Sequence, residues 1–253
     1  MNIYSVINID IVKSREIDNR DEFQIKLSKY IENLNEKYAN ILLAPITMTL
    51  GDEWQIILMQ PKESYHVIDR FQELFRGENL KIYAGIGIGT ISTKIYKDTR
   101  MMDGECFIKA REALEITKNR NTFYNKRINS RDNRVYFNAD NVGFNNLVDN
   151  DLLDEVAVTN DDVNEDALTL NKMINTLIEN NEVLKSKFTK KQMDIINLYK
   201  NNKSYSNILK VNKNLSKSDI SQKLNASNYF LVDSNNRMIE NLLNAYCNIR
   251  KEY

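Results

Sequence analysis

Three carboxylates, Asp10 and the adjacent Asp52 and Glu53, are the residues of this 253-residue chain whose type and spacing most readily suggest chemistry. Asp10 lies near the end of a β-rich apolar run, and Asp52-Glu53 occupies the tip between two short apolar runs. If the fold brings the two places together, the charges repel and raise one another's pKa unless a cation lies between them. The hard cation suited to such oxygens is Mg²⁺ or Mn²⁺, which keeps waters and substrate phosphates as its other ligands. Two such ions can activate an attacking hydroxyl and stabilise a leaving pyrophosphate. Asp10, Asp52 and Glu53 are thus the candidate catalytic residues. The competing reading of Gly51-Asp52-Glu53 is a solvated hairpin turn.

Lys13-Ser14-Arg15 follows the first apolar run directly. Backbone N–H groups and a hydroxyl at a strand-to-helix turn can cradle phosphate, and a guanidinium can grip it bidentately. The alternative is a capped, solvated turn. The single histidine, His66, has no second His or Cys nearby, so neither a Ser-His-Asp nor a Cys-His set can be assembled. Cys106 and Cys247 read as small buried hydrophobes, and Trp54 as a core residue.

The elements that must position these groups alternate along the first half. Ile3 to Val12 reads as a strand, and Arg20 to Tyr38 carries apolar residues at helical spacing. Ile41 to Thr49 and Trp54 to Met59 form a hairpin with the acidic pair at its tip. Tyr65 to Phe75 is a helix, Leu80 to Ser92 a strand with glycines at 85, 87 and 89, Glu105 to Thr117 a helix, and Arg134 to Phe137 a last strand. The order β-α-β-β-α-β-α-β predicts an α+β, ferredoxin-like (split β-α-β) layout with one extra strand. Its sheet should be antiparallel in the middle, with helices on one face. The glycine strand is better suited to close packing of a helix than to direct ligand contact.

The second half is helical, with predicted helices over Asp166 to Lys187, Thr189 to Lys200 and Ser216 to Leu224, and a last one toward Ala245. The net charge is zero, yet residues 1–171 carry 21 basic and 28 acidic side chains, and residues 172–253 carry 14 and 7. Between Arg134 and Lys172 there is no Lys or Arg while nine acids accumulate. The predicted organisation is therefore a domain over 1–138, an acidic linker over 139–165 and a helical domain over 166–253.

The ordered blocks also carry a family resemblance. Thr49 to Leu58, Thr-Leu-Gly-Asp-Glu-Trp-Gln-Ile-Ile-Leu, resembles the signature of diguanylate cyclases and the Gly-Asp hairpin of class III adenylate and guanylate cyclases. Ile9-Asp10-Ile11-Val12 resembles the Asp-Ile metal motif of their first strand. Tyr83 to Gly89 is similar to their Gly-rich strand, and Asp103 to Arg111 to the following helix, whose basic residue meets phosphates. The closer match is to the SatD family, with its Asp-Ile-x-x-Ser-Arg, Leu-Gly-Asp-Glu-aromatic-Gln, Gly-Ile-Gly-x-Gly and Asp-Gly-x-x-aromatic-x-Ala-Arg blocks at Asp10 to Arg15, Leu50 to Gln55, Gly85 to Gly89 and Asp103 to Arg111. The resemblance implies a cyclase-type palm followed by a helix-turn-helix. It also implies metal ligands at Asp10, Ile11 and Asp52, and phosphate contacts from Lys13, Ser14, Arg15 and Arg111; Arg111 could instead pair with Glu115 one turn on.

Departures from the cyclase pattern count against turnover. Ile108 stands where class III cyclases place an Asn, and Leu50 where diguanylate cyclases have a Gly. No purine-selecting Lys/Asp pair is evident. In the C-terminal half, Thr189 to Tyr199 and Ser216 to Ser227 resemble the helix-turn-helix of sigma-factor region 4, whose second helix enters the major groove. The positive excess would meet phosphates, and Asn228, Ser234, Asn235, Asn236 and Arg237 would read bases. A helical interaction or dimerisation module is the alternative.

Two functions follow as expectations. One is a Mg²⁺- or Mn²⁺-dependent nucleotidyl cyclase or transferase acting on ATP or GTP, coupled to double-stranded DNA binding. The other is a degenerate nucleotide-sensing regulator. Cyclase palms usually work as dimers, so a homodimer is implied. No apolar run approaches the roughly 18–20 residues of a membrane span. The N-terminus lacks a basic n-region, so a cytoplasmic location is expected. Two cysteines cannot supply a disulfide framework or a zinc cage.

Overall fold

The computed structural model describes residues 2–50, 52–119, 127–143 and 168–252. It is an α+β structure. The first half runs β1 (Tyr4–Ile11), α1 (Arg20–Lys37), β2 (Thr47–Leu50), β3 (Glu53–Leu58), α2 (Ser64–Gly77), β4 (Ile82–Gly89), α3 (Glu105–Lys118) and β5 (Val135–Asn138). The strands form one sheet in the order β2-β3-β1-β4-β5. β1 is antiparallel to both neighbours, β3 and β4, and β5 lies parallel to β4. The sheet is therefore mixed, with its antiparallel part in the middle.

The strand predicted over Ile41 to Thr49 is interrupted. Leu42 bridges to Leu58, and the Leu43 N–H donates to the Ile57 carbonyl. Pro45 then offers no N–H to the ladder, and the Ile46 N–H donates to the Asn35 side chain at 2.8 Å instead. Pairing resumes only at Thr47.

The helices do not all lie on one face, contrary to the sequence reading. Successive strand residues point to opposite sides of a sheet. Ile7, Ile9, Ile56, Ile86, Ile88 and Phe137 share one large buried cluster with Leu27 of α1 and Ile68, Phe71 and Phe75 of α2. Trp54 belongs to this core and is 2% exposed. The opposite side of β4 presents Gly85 and Gly87, and there α3 lies against the strand. A Cβ built on Gly85 would stand 2.2 Å from the Leu114 nitrogen, and one on Gly87 2.2 Å from the Ala110 nitrogen. The alternating glycines thus let a helix approach on the second face, with Val6, Ile57, Cys106, Phe107 and Ala110 forming a smaller cluster beside it.

The C-terminal part comprises α4 (Leu170–Ser186), α5 (Lys190–Asn202), α6 (Tyr205–Val211), α7 (Lys217–Ala226) and α8 (Tyr229–Glu252). Thr189 caps α5 with a full capping box through Gln192. The short helix α6 was not foreseen; its signal is the Ser204 hydroxyl accepting from the Asn207 N–H. Ile174 and Ile178 of α4 and Ile239, Leu243 and Tyr246 of α8 join the large cluster under the sheet. A separate cluster of Ile195, Ile196, Ile208, Ile220, Leu224 and Tyr229 holds α5, α6, α7 and the start of α8 together. The acidic run that dominates the predicted linker lies largely on 144–167, outside the described residues. No helix among the described residues is long and apolar enough to cross a membrane.

Candidate functional site

The antiparallel register of β1 and β3 sets Asp10 directly opposite Glu53 at one end of the sheet. Asp52 precedes Glu53 at the hairpin tip, and its charge, like that of Glu53, is felt at Asp10. Asp10 and Glu53 are thus cross-strand neighbours with Asp52 next in the chain, but the positive charge set against Asp10 and Glu53 is the protein's own. What the sequence did not foretell is their compensation by α3. Arg111 grips Glu53 with two parallel hydrogen bonds, Nη1 to Oε2 at 2.8 Å and Nη2 to Oε1 at 2.6 Å. Two turns on, Lys118 forms an ion pair with Asp10. The glycine-permitted approach of α3 to β4 is what brings both cations over the acids.

The two pairs differ in accessibility. The Glu53 side chain is 5% exposed and its guanidinium partner 45% exposed. Thr49 also donates to the Glu53 carboxylate at 3.4 Å. Glu53 is therefore held under Arg111, which keeps further N–H donors toward solvent. The Glu53 bond raises the Arg111 pKa against the opposing effect of burial. The Asp10 side chain is 15% exposed and that of Lys118 30%. Burial of the Asp10 carboxyl outweighs the lowering by Lys118, and with the Asp52 and Glu53 charges it holds the pKa above the ordinary carboxylate value. On Lys118, burial works downward but the Asp10 carboxylate more than offsets it, so its pKa is raised. Among the described residues Asp52 makes no ion pair.

Ile11 turns its side chain into the core at 3% exposure, so only its carbonyl oxygen is available to a cation. Lys13 adopts a left-handed backbone (φ 59°) at the strand end, and Ser14–Glu16 form one 3-10 turn. The Lys13 ammonium is spent on Glu16 at 2.9 Å, an exposed pair. Such pairs are worth about 0–1 kcal/mol and exchange readily. Arg15 is exposed and makes no ion pair among the described residues.

Among the described residues no group of three or more His, Cys, Asp or Glu side chains is arranged to hold a metal ion. Of the expected ligands, Asp10 is already paired with Lys118, while Asp52 is without an ion pair among the described residues; Mg²⁺ that brings phosphates and waters needs only one or two carboxylates from a protein.

A family model for the SatD family matches residues 4–149. The chain belongs to the SatD family. The matched segment carries β1 to β5, α1 to α3 and every residue of the acid–base cluster, while α4 to α8 lie beyond it. The search of curated proteins returns no match.

The proposed base-reading residues of this SatD-family chain lie around the start of α8. Asn228 takes a left-handed conformation (φ 53°) between α7 and α8, a role that Asn tolerates better than most residues. Ser234 and Arg237 are exposed, Arg237 paired with Asp233 at 2.6 Å. Asn235 and Asn236 turn toward α4: the Asn235 amide donates to Asn181 at 2.9 Å, and Asn181 donates to Asn236 at 2.8 Å. Asn181 is fully buried, so these two amides are engaged inside the protein rather than held out to base edges.

Two further charge networks escaped the sequence reading. Lys185 is 4% exposed and pairs with Asp69 at 2.9 Å and Glu182 at 2.6 Å, and Lys200 pairs with Glu73 at 2.5 Å. These bonds tie α4 and α5 to α2. At the other end of the sheet Arg250 of α8 pairs with Asp140 at 2.7 Å and with Glu105 of α3 at 3.2 Å. Both networks join residues more than 100 positions apart, beyond the reach of any local pattern.

Proposed function

We propose that this protein binds a purine nucleoside triphosphate together with Mg²⁺ or Mn²⁺ at the β1–β3 end of the sheet, and that it reads the nucleotide as a signal. The observation that carries this reading is the pairing of Asp10 with Glu53 in register, Asp52 alongside, and Arg111 and Lys118 delivered to the same place by α3. The first half is then a cyclase-type, ferredoxin-like palm. In its support, β2-β3-β1-β4 with β1 antiparallel to both neighbours is the split β-α-β order, and β5 is the added strand.

In this reading Asp10, Asp52 and the Ile11 carbonyl hold the cation, and Lys13, Ser14, Arg15 and Arg111 take the phosphates. The cation would neutralise phosphate charge. Glu53 fixes the fork of Arg111 so that its outward N–H groups meet phosphate, which makes it a positioning residue here. Were turnover retained, a ribose hydroxyl would attack the α-phosphate and pyrophosphate would leave. Sensing is favoured because Ile108, 57% exposed on α3, supplies no amide where cyclases have one. The C-terminal helices are the output, a helix-turn-helix that meets double-stranded DNA through exposed Lys190, Lys191, Lys210 and Lys217 and through Asn228, Ser234 and Arg237. A homodimer follows from the cyclase likeness.

Equilibrium dialysis of the full chain with Mn²⁺ and each of the four NTPs, with pyrophosphate assayed in parallel, tests this. Saturable retention of ATP or GTP without pyrophosphate, lost in Asp52→Ala, is the expected result. Pyrophosphate release that depends on Asp52 would restore the enzyme, and retention of no NTP would end the nucleotide reading.

A further inference from the structure

We propose that Lys118 is an exchangeable internal counter-ion that keeps Asp10 closed to a free divalent cation, so that cation and polyphosphate bind this site only together. The inference deepens the nucleotide reading above and rests on it.

Two of the three acids at the sheet end already have an opposite partner: Glu53 has Arg111, and Asp10 has Lys118. A divalent ion arriving alone would have to break the Asp10–Lys118 pair and leave an ammonium beside new positive charge in a partly buried place. Like charges in such surroundings are costly, because solvent screens them poorly. It would gain only Asp10, Asp52 and a carbonyl, since Glu53, the third acid there, is held by Arg111. A polyphosphate arriving alone would face Asp10, Asp52 and Glu53 with Lys118 still committed. When both arrive, Asp10 passes from Lys118 to the metal and Lys118 passes to phosphate. No charge is left without a partner in that exchange, and no covalent bond changes.

Arg111 need not leave Glu53, since the exposed side of its guanidinium can donate to phosphate oxygens while the pair stays closed. Lys118 is different: its 30% exposed side chain reaches Asp10 from the last residue of α3, where the helix ends and a swing costs little packing. The consequence is positive linkage between the two ligands, reciprocal by thermodynamic necessity.

The test uses the full chain with Mn²⁺ as probe, unbound Mn²⁺ being read by its electron paramagnetic resonance signal. Without nucleotide, Lys118→Met is expected to take up Mn²⁺ at least about tenfold more tightly than wild type, within the usual range of coupling between sites. Asp10→Asn added to Lys118→Met should remove the gain. Lys118→Gln serves as second variant should the Met side chain disturb folding, checked by circular dichroism. If wild type retains ATP or GTP with Mn²⁺, yet neither Lys118 variant binds free Mn²⁺ better than wild type, the counter-ion inference fails and the nucleotide reading survives. If wild type retains no nucleotide under any condition, the nucleotide reading fails and the linkage falls with it.

Discussion

Replacing Gly87 by Ala is the sharpest probe of the packing that builds the site. A methyl at this position would lie 2.2 Å from the Ala110 nitrogen, 2.3 Å from the Cys106 carbonyl oxygen and 2.8 Å from the Ala110 Cα. All three are backbone atoms of α3, so no side chain can rotate aside. To regain ordinary contact the helix must lift by about 1 Å, which loosens its seat on Ala110, Ala113 and Leu114, all fully buried. Overpacking of a tight core costs typically about 1–3 kcal/mol, and with backbone on every side the upper figure applies. For a chain of this size about 3 kcal/mol corresponds to a fall in Tm of roughly 6–12 °C. Urea unfolding and a thermal melt measure it, with Gly77→Ala as control. Gly77 ends α2 with nothing within 4 Å of its added Cβ, so that variant should be neutral or gain up to about 1 kcal/mol. A loss below about 0.5 kcal/mol for Gly87→Ala, the range of ordinary surface changes, would refute the close approach of α3. The placement of Arg111 and Lys118 would then need another explanation.

Lys185→Met takes the shared buried cation from Asp69 and Glu182, leaving Asp69 with Lys200 and Glu182 with donors from Tyr65 and Gln72, and should cost up to about 3–5 kcal/mol by urea titration; replacing Asp69 and Glu182 as well should recover part of the loss. Asn181→Leu removes the partner of both Asn235 and Asn236 and should cost about 1–3 kcal/mol, whereas Arg237→Ala should change stability by less than about 1 kcal/mol because its pair with Asp233 is exposed. Glu105 is held at about 2: burial pulls upward, but hydrogen bonds from Lys109 and the Thr90 N–H prevail over it. Its folded pKa lies below the unfolded one, so its contribution is complete above about pH 4.5 and lost as pH falls toward 2. Glu105→Gln should flatten the decline of the urea midpoint across that window.

The order of strands and helices in the first half was readable because each element carries its own period, and the meeting of Asp10 with Asp52-Glu53 followed from hairpin geometry. The side of the sheet taken by α3 was harder. The alternating glycines signalled a close helix, but nothing local said that it would lie opposite α1 and α2. Lys118 was missed although it stands seven residues from Arg111 on the same helix, because its relevance depends on the height of α3 above β1. Asn235 and Asn236 looked like base readers by composition. Their engagement with Asn181 depends on how α8 docks on α4, a contact spanning more than fifty residues.

The docking of α4 and α8 beneath the sheet bears on how the chain can be divided. Phe137 of β5 meets Tyr246 edge-on with ring centroids 6.4 Å apart, and Leu170, Ile174, Leu243 and Cys247 lie in the same apolar cluster. A polypeptide ending near Gly143 would leave this greasy underside facing water and should precipitate or recruit chaperones. A protease nick between Gly143 and Leu168 should instead yield two pieces that travel together through gel filtration and separate only in denaturant.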